Sequence, residues 1–351
     1  MRSTITYLIF GLLLLGCTQR QEPVSPPWGG DADTIPTTDI FDLGQIEQAG
    51  ELIAVTLSGP DTYYDFRGRQ LGLQYLLCER FARHLGVKLR METCRDTLEL
   101  LRRIEDDADL AAIDFCHDSL SVGWRVGSGK PELSAVLSAW YKPTMLAEVR
   151  SEEKQLLSQP RVQRQVFAPM LSKGVISRYD GLFKLYSKRI SWDWRLLAAQ
   201  CYQESTFDPN ARSWAGAQGL MQIMPQTADH LGLPRSEINQ PDRNIEAAVR
   251  YLKELDREFM SIRDRQERQN MVLASYNGGI HHVRDAMRLA RRDGKNPNRW
   301  ADVREYILRL SEPHYYQDSI VEHGYMRGSE TADYVDKIRQ RYATYRRSVR
   351  P

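Results

Sequence analysis

The chain reads as an α+β protein of two domains, a small α/β unit followed by an all-α domain, and three features of the sequence carry that reading. A length of 351 residues is enough for two domains. Strand-like and helix-like periods alternate between Leu52 and Asp114. From Ile176 onward helical patterns follow one another with no strand run between them.

In the first unit, Leu52-Ile-Ala-Val-Thr-Leu57 is a β-branched run that stops at Ser58-Gly-Pro60, as a strand does. Tyr63–Gly68 suggests a hairpin or turn. Tyr75–Leu85 places apolar residues three and four apart, an amphipathic helix that Gly86 ends. Val87–Met91 alternates as a strand, Thr97–Glu105 is a second helix, and Asp109–Asp114 a third strand. A β-α-β-α-β order implies parallel pairing with helical crossovers. Trp124–Val126 and Lys130–Trp140 add a returning strand and a helix. Residues 146–174 are polar and charged and are expected to form a linker with some helix. The domain at 175–351 then carries helix patterns at Trp192–Glu204, Met224–Leu231, Asn244–Met260, Arg268–Tyr276, His281–Arg292, Asp302–Leu310 and Thr331–Arg347.

The chain start is a targeting segment. Arg2 is followed by the apolar run Tyr7–Leu15, which is short for a bilayer span. Leu14-Leu-Gly-Cys17 resembles the lipobox of bacterial lipoproteins, which implies removal of residues 1–16, lipidation of Cys17, and attachment to a membrane through several acyl chains. Residues 17–47, rich in Pro and Gly, read as a flexible tether, so the first domain is expected at 48–145. A formal net charge of +2 forces no polyanion-binding character, and no nucleic-acid partner is expected. Cys78, Cys94 and Cys116 show neither CxxC nor zinc spacing, and a bridge among them stays open. Cys201 falls on an apolar helix face and reads as a small hydrophobe. The seven histidines show no metal-ligand spacing, so neither a metal nor a cofactor is expected.

The chemistry-bearing stretch is Leu196–Thr227, LLAAQCYQESTFDPNARSWAGAQGLMQIMPQT. It puts Glu204 at the end of an apolar helix, before Ser205-Thr206 and Pro209. Apolar surroundings and the carbonyl-rich helix end both favour a neutral acid there. Gly216-Ala-Gln-Gly-Leu-Met-Gln222 lets backbone approach a ligand, and Gln222 can donate and accept hydrogen bonds, although a plain turn before Pro225 is the simpler account. Ala274-Ser-Tyr-Asn-Gly-Gly279 ends another apolar helix, and Tyr334-Val-Asp-Lys-Ile338 comes late in the chain.

These blocks in this order resemble the lytic transglycosylases with a goose-type lysozyme fold, which cut the glycan strands of bacterial peptidoglycan; the resemblance runs from about Trp192 to about Tyr345. It implies a lysozyme-like domain in which Glu204 is acid and then base, with Ser205, Ser213, Gly219, Met221, Gln222, Tyr276, Asn277 and Tyr334 on the substrate, core packing being the alternative for Met221 and Tyr334. Trp214, beside the glycines, is the aromatic expected to face sugar, whereas Trp192 and Trp194 are expected in the core. The α/β unit resembles the first lobe of periplasmic solute-binding proteins, but the residues that would build a second lobe are missing. Asp193-Trp-Arg-Leu-Leu-Ala-Ala199, Trp300-Ala-Asp-Val303 and that truncated module together look like the membrane-bound F type of lytic murein transglycosylase. Peptidoglycan strands are then the expected partner, with cell-wall proteins as partners of the N-terminal module, and the periplasmic face of the outer membrane as the location. The other readings are a catalytically idle wall-binding lipoprotein and a lysozyme-type hydrolase.

Overall fold

Asp42 caps the first helix of the computed structural model, which describes residues 41–113, 123–158, 162–163 and 166–350. Its carboxylate accepts from Leu43 N at 2.9 Å and caps α1 (Leu43–Ala49), where Gln45 completes a capping box. The same two oxygens accept from Glu132 N at 2.8 Å and Leu133 N at 3.0 Å, the first turn of a helix 90 residues further on. One side chain therefore satisfies two helix starts. Asp42→Ala should cost about 2 kcal/mol, the upper end for a lost cap, read as a lowered denaturant midpoint with unchanged slope.

The tether expected at 17–47 thus ends earlier. Ile46 is buried in the lobe's core, so residues from 42 on belong to the lobe. The leader, Cys17 and the rest of the tether lie outside the described residues.

After α1 come β1 (Glu51–Leu57), the hairpin strands β2 (Tyr64–Phe66) and β3 (Arg69–Leu71), α2 (Leu73–Leu85), β4 (Lys88–Cys94), α3 (Thr97–Asp106), β5 (Leu110–Ala111), β6 (Arg125–Val126) and α4 (Pro131–Trp140). β1 lies inside the sheet, whose order is β4-β1-β5-β6. It pairs in parallel with β4, from Glu51 opposite Lys88 to Leu57 opposite Cys94, and with β5 at Ala54 opposite Leu110. Burial of Ala54, Val55 and Thr56 in succession shows both faces covered, as parallel sheets require. β6 returns antiparallel to β5. Cys78 and Cys94 are free buried thiols, while Cys116 lies outside the described residues.

The linker with some helix expected at 146–174 begins inside α5 (Thr144–Ser158), which packs on α2. Val149 is fully buried, and Arg80 of α2 reaches Glu148 at 3.0 Å and Glu152 at 2.7 Å. Those glutamates look like a solvated face in the sequence because their partner lies 68 and 72 residues away. Beyond α5, β7 (Val162–Gln163) pairs with a strand of the helical domain.

The helical domain contains α6 (Asp180–Ser187), α7 (Trp194–Ser205), β8 (Arg212–Ser213), α8 (Pro225–His230), α9 (Pro241–Glu258), α10 (Arg265–Gly278), α11 (Ile280–Arg292), α12 (Trp300–Arg309), the short α13 (Pro313–Tyr316) and α14 (Gly328–Ser348). α7 is buried almost all round, including its polar Arg195, Gln200, Glu204 and Ser205, and packs between α6 and α14. Trp192, Trp194 and Cys201 sit in its core, as their spacing predicts. Among the described residues no helix is long and apolar enough to cross a membrane.

Candidate active site

Glu204 stands in the last turn of α7, only 2% exposed. The chain leaves that helix abruptly: Thr206 (φ 52°) and Phe207 (φ 63°) are successive non-glycine residues in the left-handed region. Such residues cost on the order of 1–3 kcal/mol each. Burial of the Phe207 ring, with Tyr202 at 5.4 Å and Phe183 at 6.2 Å, offsets the strain. The turn leaves the Glu204 carboxylate on the wall of a cavity of about 460 Å³.

Tyr334, on the buried face of α14 and 1% exposed, donates its hydroxyl to Glu204 Oε1 at 2.5 Å. That bond fixes the carboxylate's orientation. Tyr276, at the end of α10, lines the same cavity and donates its hydroxyl to Met221 O at 2.8 Å. Burial, and secondarily the nearby charge of Glu204, push its phenol well above the ordinary range, so it stays a neutral donor.

Gln222 adopts φ 51° and is 8% exposed. Its Nε2 donates to Ala211 O at 3.1 Å and Gly219 O at 2.9 Å. Its Oε1 is buried, has no hydrogen-bond partner and belongs to a residue lining the cavity. A buried acceptor left open is costly unless a ligand fills it. Ser213 and Asn277 line the cavity too, with Ser213 Oγ accepting from Ala217 N at 2.9 Å and Asn277 Oδ1 from Thr331 at 2.8 Å. Ser275, which the sequence reading passes over, adds a buried hydroxyl with no partner.

Four residues expected on substrate are turned elsewhere, Tyr334 among them, because its hydroxyl is on Glu204 and it does not line the cavity. The Ser205 hydroxyl donates to Cys201 O at 3.2 Å within its own helix and is fully buried. Met221 lies in the hydrophobic core and offers only backbone, its N donating to Asn244 Oδ1 at 2.7 Å. Gly219 (φ 81°) leaves room for Asn244: a Cβ there would overlap that amide and lie 2.8 Å from Ile238 O. It is glycine so that Asn244 can hold the loop, and its carbonyl positions Gln222. Trp214 does not face the cavity either. It packs on the N-terminal lobe, 6.4 Å from the Phe66 ring and under the Arg69 guanidinium at 5.6 Å.

One end of the cavity carries His281, His282 and His323, the first and last with ring centres 4.3 Å apart. Among the described residues no group of His, Cys, Asp and Glu is arranged to hold a metal ion. Burial lowers His282 to about 4; Asp285 opposes this, while His323 and His281 reinforce it. An unfolded histidine takes its proton near 6.5, so between pH 6.5 and 4 the unfolded chain binds more protons and stability falls as pH drops. The melting temperature should decline across that interval, with a shallower slope in His282→Gln, as a thermal scan at stepped pH would show.

Comparison with known proteins gives the chain's relatives. The family model described as Transglycosylase SLT domain matches residues 181–298, which include Glu204, Gln222 and Tyr276. Membrane-bound lytic murein transglycosylase F of Desulfosudis oleivorans is 40% identical over 164 residues, 46% of this chain and 35% of that protein. The protein of that name from Citrobacter koseri is 27% identical over 96% of this chain and 86% of its own length. That alignment extends over 456 positions, more than the 351 residues present here, so the relative carries segments this chain lacks. The 70 kDa soluble lytic transglycosylase of Escherichia coli aligns with 48% of this chain and 24% of its own, at 26% identity and a TM-score of 0.36. The chain spans about a third of the length of the first curated relatives it matches, 33% and 35% for the Aeromonas salmonicida and Desulfosudis proteins. Residues 181–298 thus match the Transglycosylase SLT domain, within a chain similar over nearly its whole length to membrane-bound lytic murein transglycosylase F.

Proposed function

We propose that the chain is a peptidoglycan lytic transglycosylase that cleaves the β-1,4 bond between MurNAc and GlcNAc and leaves 1,6-anhydroMurNAc ends. The observation that carries this is the placement of Glu204: nearly solvent-free, oriented by the Tyr334 hydroxyl, and on the wall of a cavity with open acceptors and donors. In the first step the protonated Glu204 gives its proton to the glycosidic oxygen as the bond to C1 breaks. The substrate's N-acetyl oxygen supports the positive charge at C1. The Glu204 carboxylate then takes the proton of the MurNAc C6 hydroxyl, whose oxygen closes on C1. Glu204 ends as it began and water is not consumed. The open Gln222 Oε1 suits an acetamido N–H or a sugar hydroxyl, with Ser213, Ser275, Tyr276 and Asn277 around it.

Hydrolysis is the second reading, because most glycosidases use two carboxylates and the cavity also holds Asp65 and Glu330. Glu330 is engaged by Arg67 at 2.7 Å, so its carboxylate is held on an ion pair rather than aimed at a sugar. Digesting peptidoglycan with the full chain and weighing the fragments separates the readings. Anhydro ends support the transglycosylase, reducing ends the hydrolase, and an absence of fragments an idle wall-binding protein.

The same proposal puts the chain on the periplasmic face of the outer membrane through acylated Cys17. It also reads the α/β lobe as a truncated solute-binding-type module open to cell-wall partners. The names of the relatives, membrane-bound, and the βαβ order of the lobe support these parts.

A further inference from the structure

The cavity beside Glu204 is not made by the helical domain alone. Ser58, just past β1, Thr93, near the end of β4, and Tyr63 and Asp65 of the hairpin line it as well. Parallel α/β sheets bind ligands outside the carboxyl ends of their strands, and here that edge faces the groove.

The lobe is pinned in this position. Arg67 Nε donates to both oxygens of Glu330, at 2.9 and 2.7 Å. Tyr325 N donates to Ser58 Oγ at 2.8 Å, and the Arg327 guanidinium lies 4.9 Å from the centre of the Phe66 ring. Arg67 (φ 56°) and Gly68 (φ 76°) form the tight two-residue turn that twisted hairpins favour. At Gly68 a Cβ would come 2.6 Å from Met224 Cε, so the turn sits directly on the glycine-block loop.

Strand alternation then decides what the hairpin shows the groove. Tyr64 and Phe66 are buried, and Asp65 between them points the other way. Arg67 is taken by Glu330 and Arg69 by Trp214, so Asp65 has no ion-pair or hydrogen-bond partner among the described residues. Partial desolvation raises its carboxyl above the ordinary value.

We propose that the lobe is the second wall of the substrate groove, and that Asp65 receives a free ammonium group on the peptide branch of the glycan strand. Cleavage then favours strands whose side peptides keep that amine. This rests on the transglycosylase reading and adds a specificity to it.

The test compares soluble peptide-bearing glycan strands with the same strands N-acetylated, using the full chain in detergent. The wild type should show a KM about five-fold lower on the amine-bearing strands at equal kcat, the size an ion pair at a partly exposed site provides. Asp65→Asn should raise that KM to the acetylated value and leave kcat alone, and Asp65→Glu should keep part of the preference. A wild type indifferent to acetylation, or Asp65→Asn with its preference intact, overturns the proposal. A kcat lowered equally on both strands also overturns it, since the carboxylate would then act in the chemistry. Should the wild type cleave neither strand, the transglycosylase reading fails by itself. Titrating both strands onto Glu204→Gln, followed by tryptophan fluorescence, then reads the same affinity ratio and still decides the role of Asp65.

Discussion

Glu204→Gln should reduce the release of soluble fragments from peptidoglycan by about 10²–10⁴-fold, the range a general acid–base residue supplies. Glutamine can neither give the first proton nor take the second, so both steps fail together. The fold should survive. The amide matches the carboxylate in shape, Tyr334 can still donate to Oε1, and no buried charge is left unpaired. The melting temperature should stay within a few degrees, and binding to intact strands should persist. Tyr334→Phe is the graded companion: the acid remains but loses the donor that orients it, so activity should fall by roughly ten-fold, about the value of one hydrogen bond to a charged group. A Glu204→Gln protein that keeps a tenth of wild-type activity would remove Glu204 as the acid and with it the proposed chemistry.

The parts of this site that the sequence discloses are those whose signal is local. Glu204 stands out as a carboxylate closing an apolar helix, and Tyr276-Asn277 as polar residues closing another; both ends face the cavity. Gly86 stops α2 through a left-handed cap, and β1 shows its two covered faces as the near-continuous apolar run Leu52–Leu57, broken only by Thr56. The misreadings have geometric causes. Ser205 follows Glu204 by one residue, which on a helix is a turn of about 100°, and so it points back into the core. Met221 and Gln222 are neighbours in a loop where the left-handed twist at Gln222 sends one side chain inward and the other to the groove. Trp214 looks like a sugar-stacking ring until Phe66 and Arg69 of the lobe close over it, a contact across nearly 150 positions that no window of sequence contains. The lobe's share of the groove is hidden for the same reason: Arg67 and Glu330 are 263 residues apart.

Gly328→Ala should be the most damaging single-methyl change in the helical domain. Gly328 opens α14, and a Cβ there would overlap the carbonyl oxygen of Ile307 on α12, with the carbonyl carbon 2.5 Å away. The obstacle is backbone in the last turn of a packed helix, so no rotamer can relieve it and the two helices must separate. Overpacking of this kind costs about 3 kcal/mol at the upper end of its range, or roughly 4–5 °C in melting temperature for a chain of 351 residues. Alanine's better helix propensity, at most about 1 kcal/mol, is too small to compensate. The shift also travels: α14 carries Tyr334 and packs on α7, which carries Glu204, so the 2.5 Å bond between them lengthens when the helix lifts. Activity measured well below the melting point should therefore fall further than the loss of folded protein accounts for. Gly181→Ala in α6 supplies the opposite sign, because nothing lies within 4 Å of the added methyl. There the gain in helix propensity and the loss of unfolded-state entropy should raise stability by about 0.5–1 kcal/mol without touching activity. If both alanines moved the melting temperature in the same direction, the close approach of α14 to α12 would not be what holds Tyr334 against Glu204.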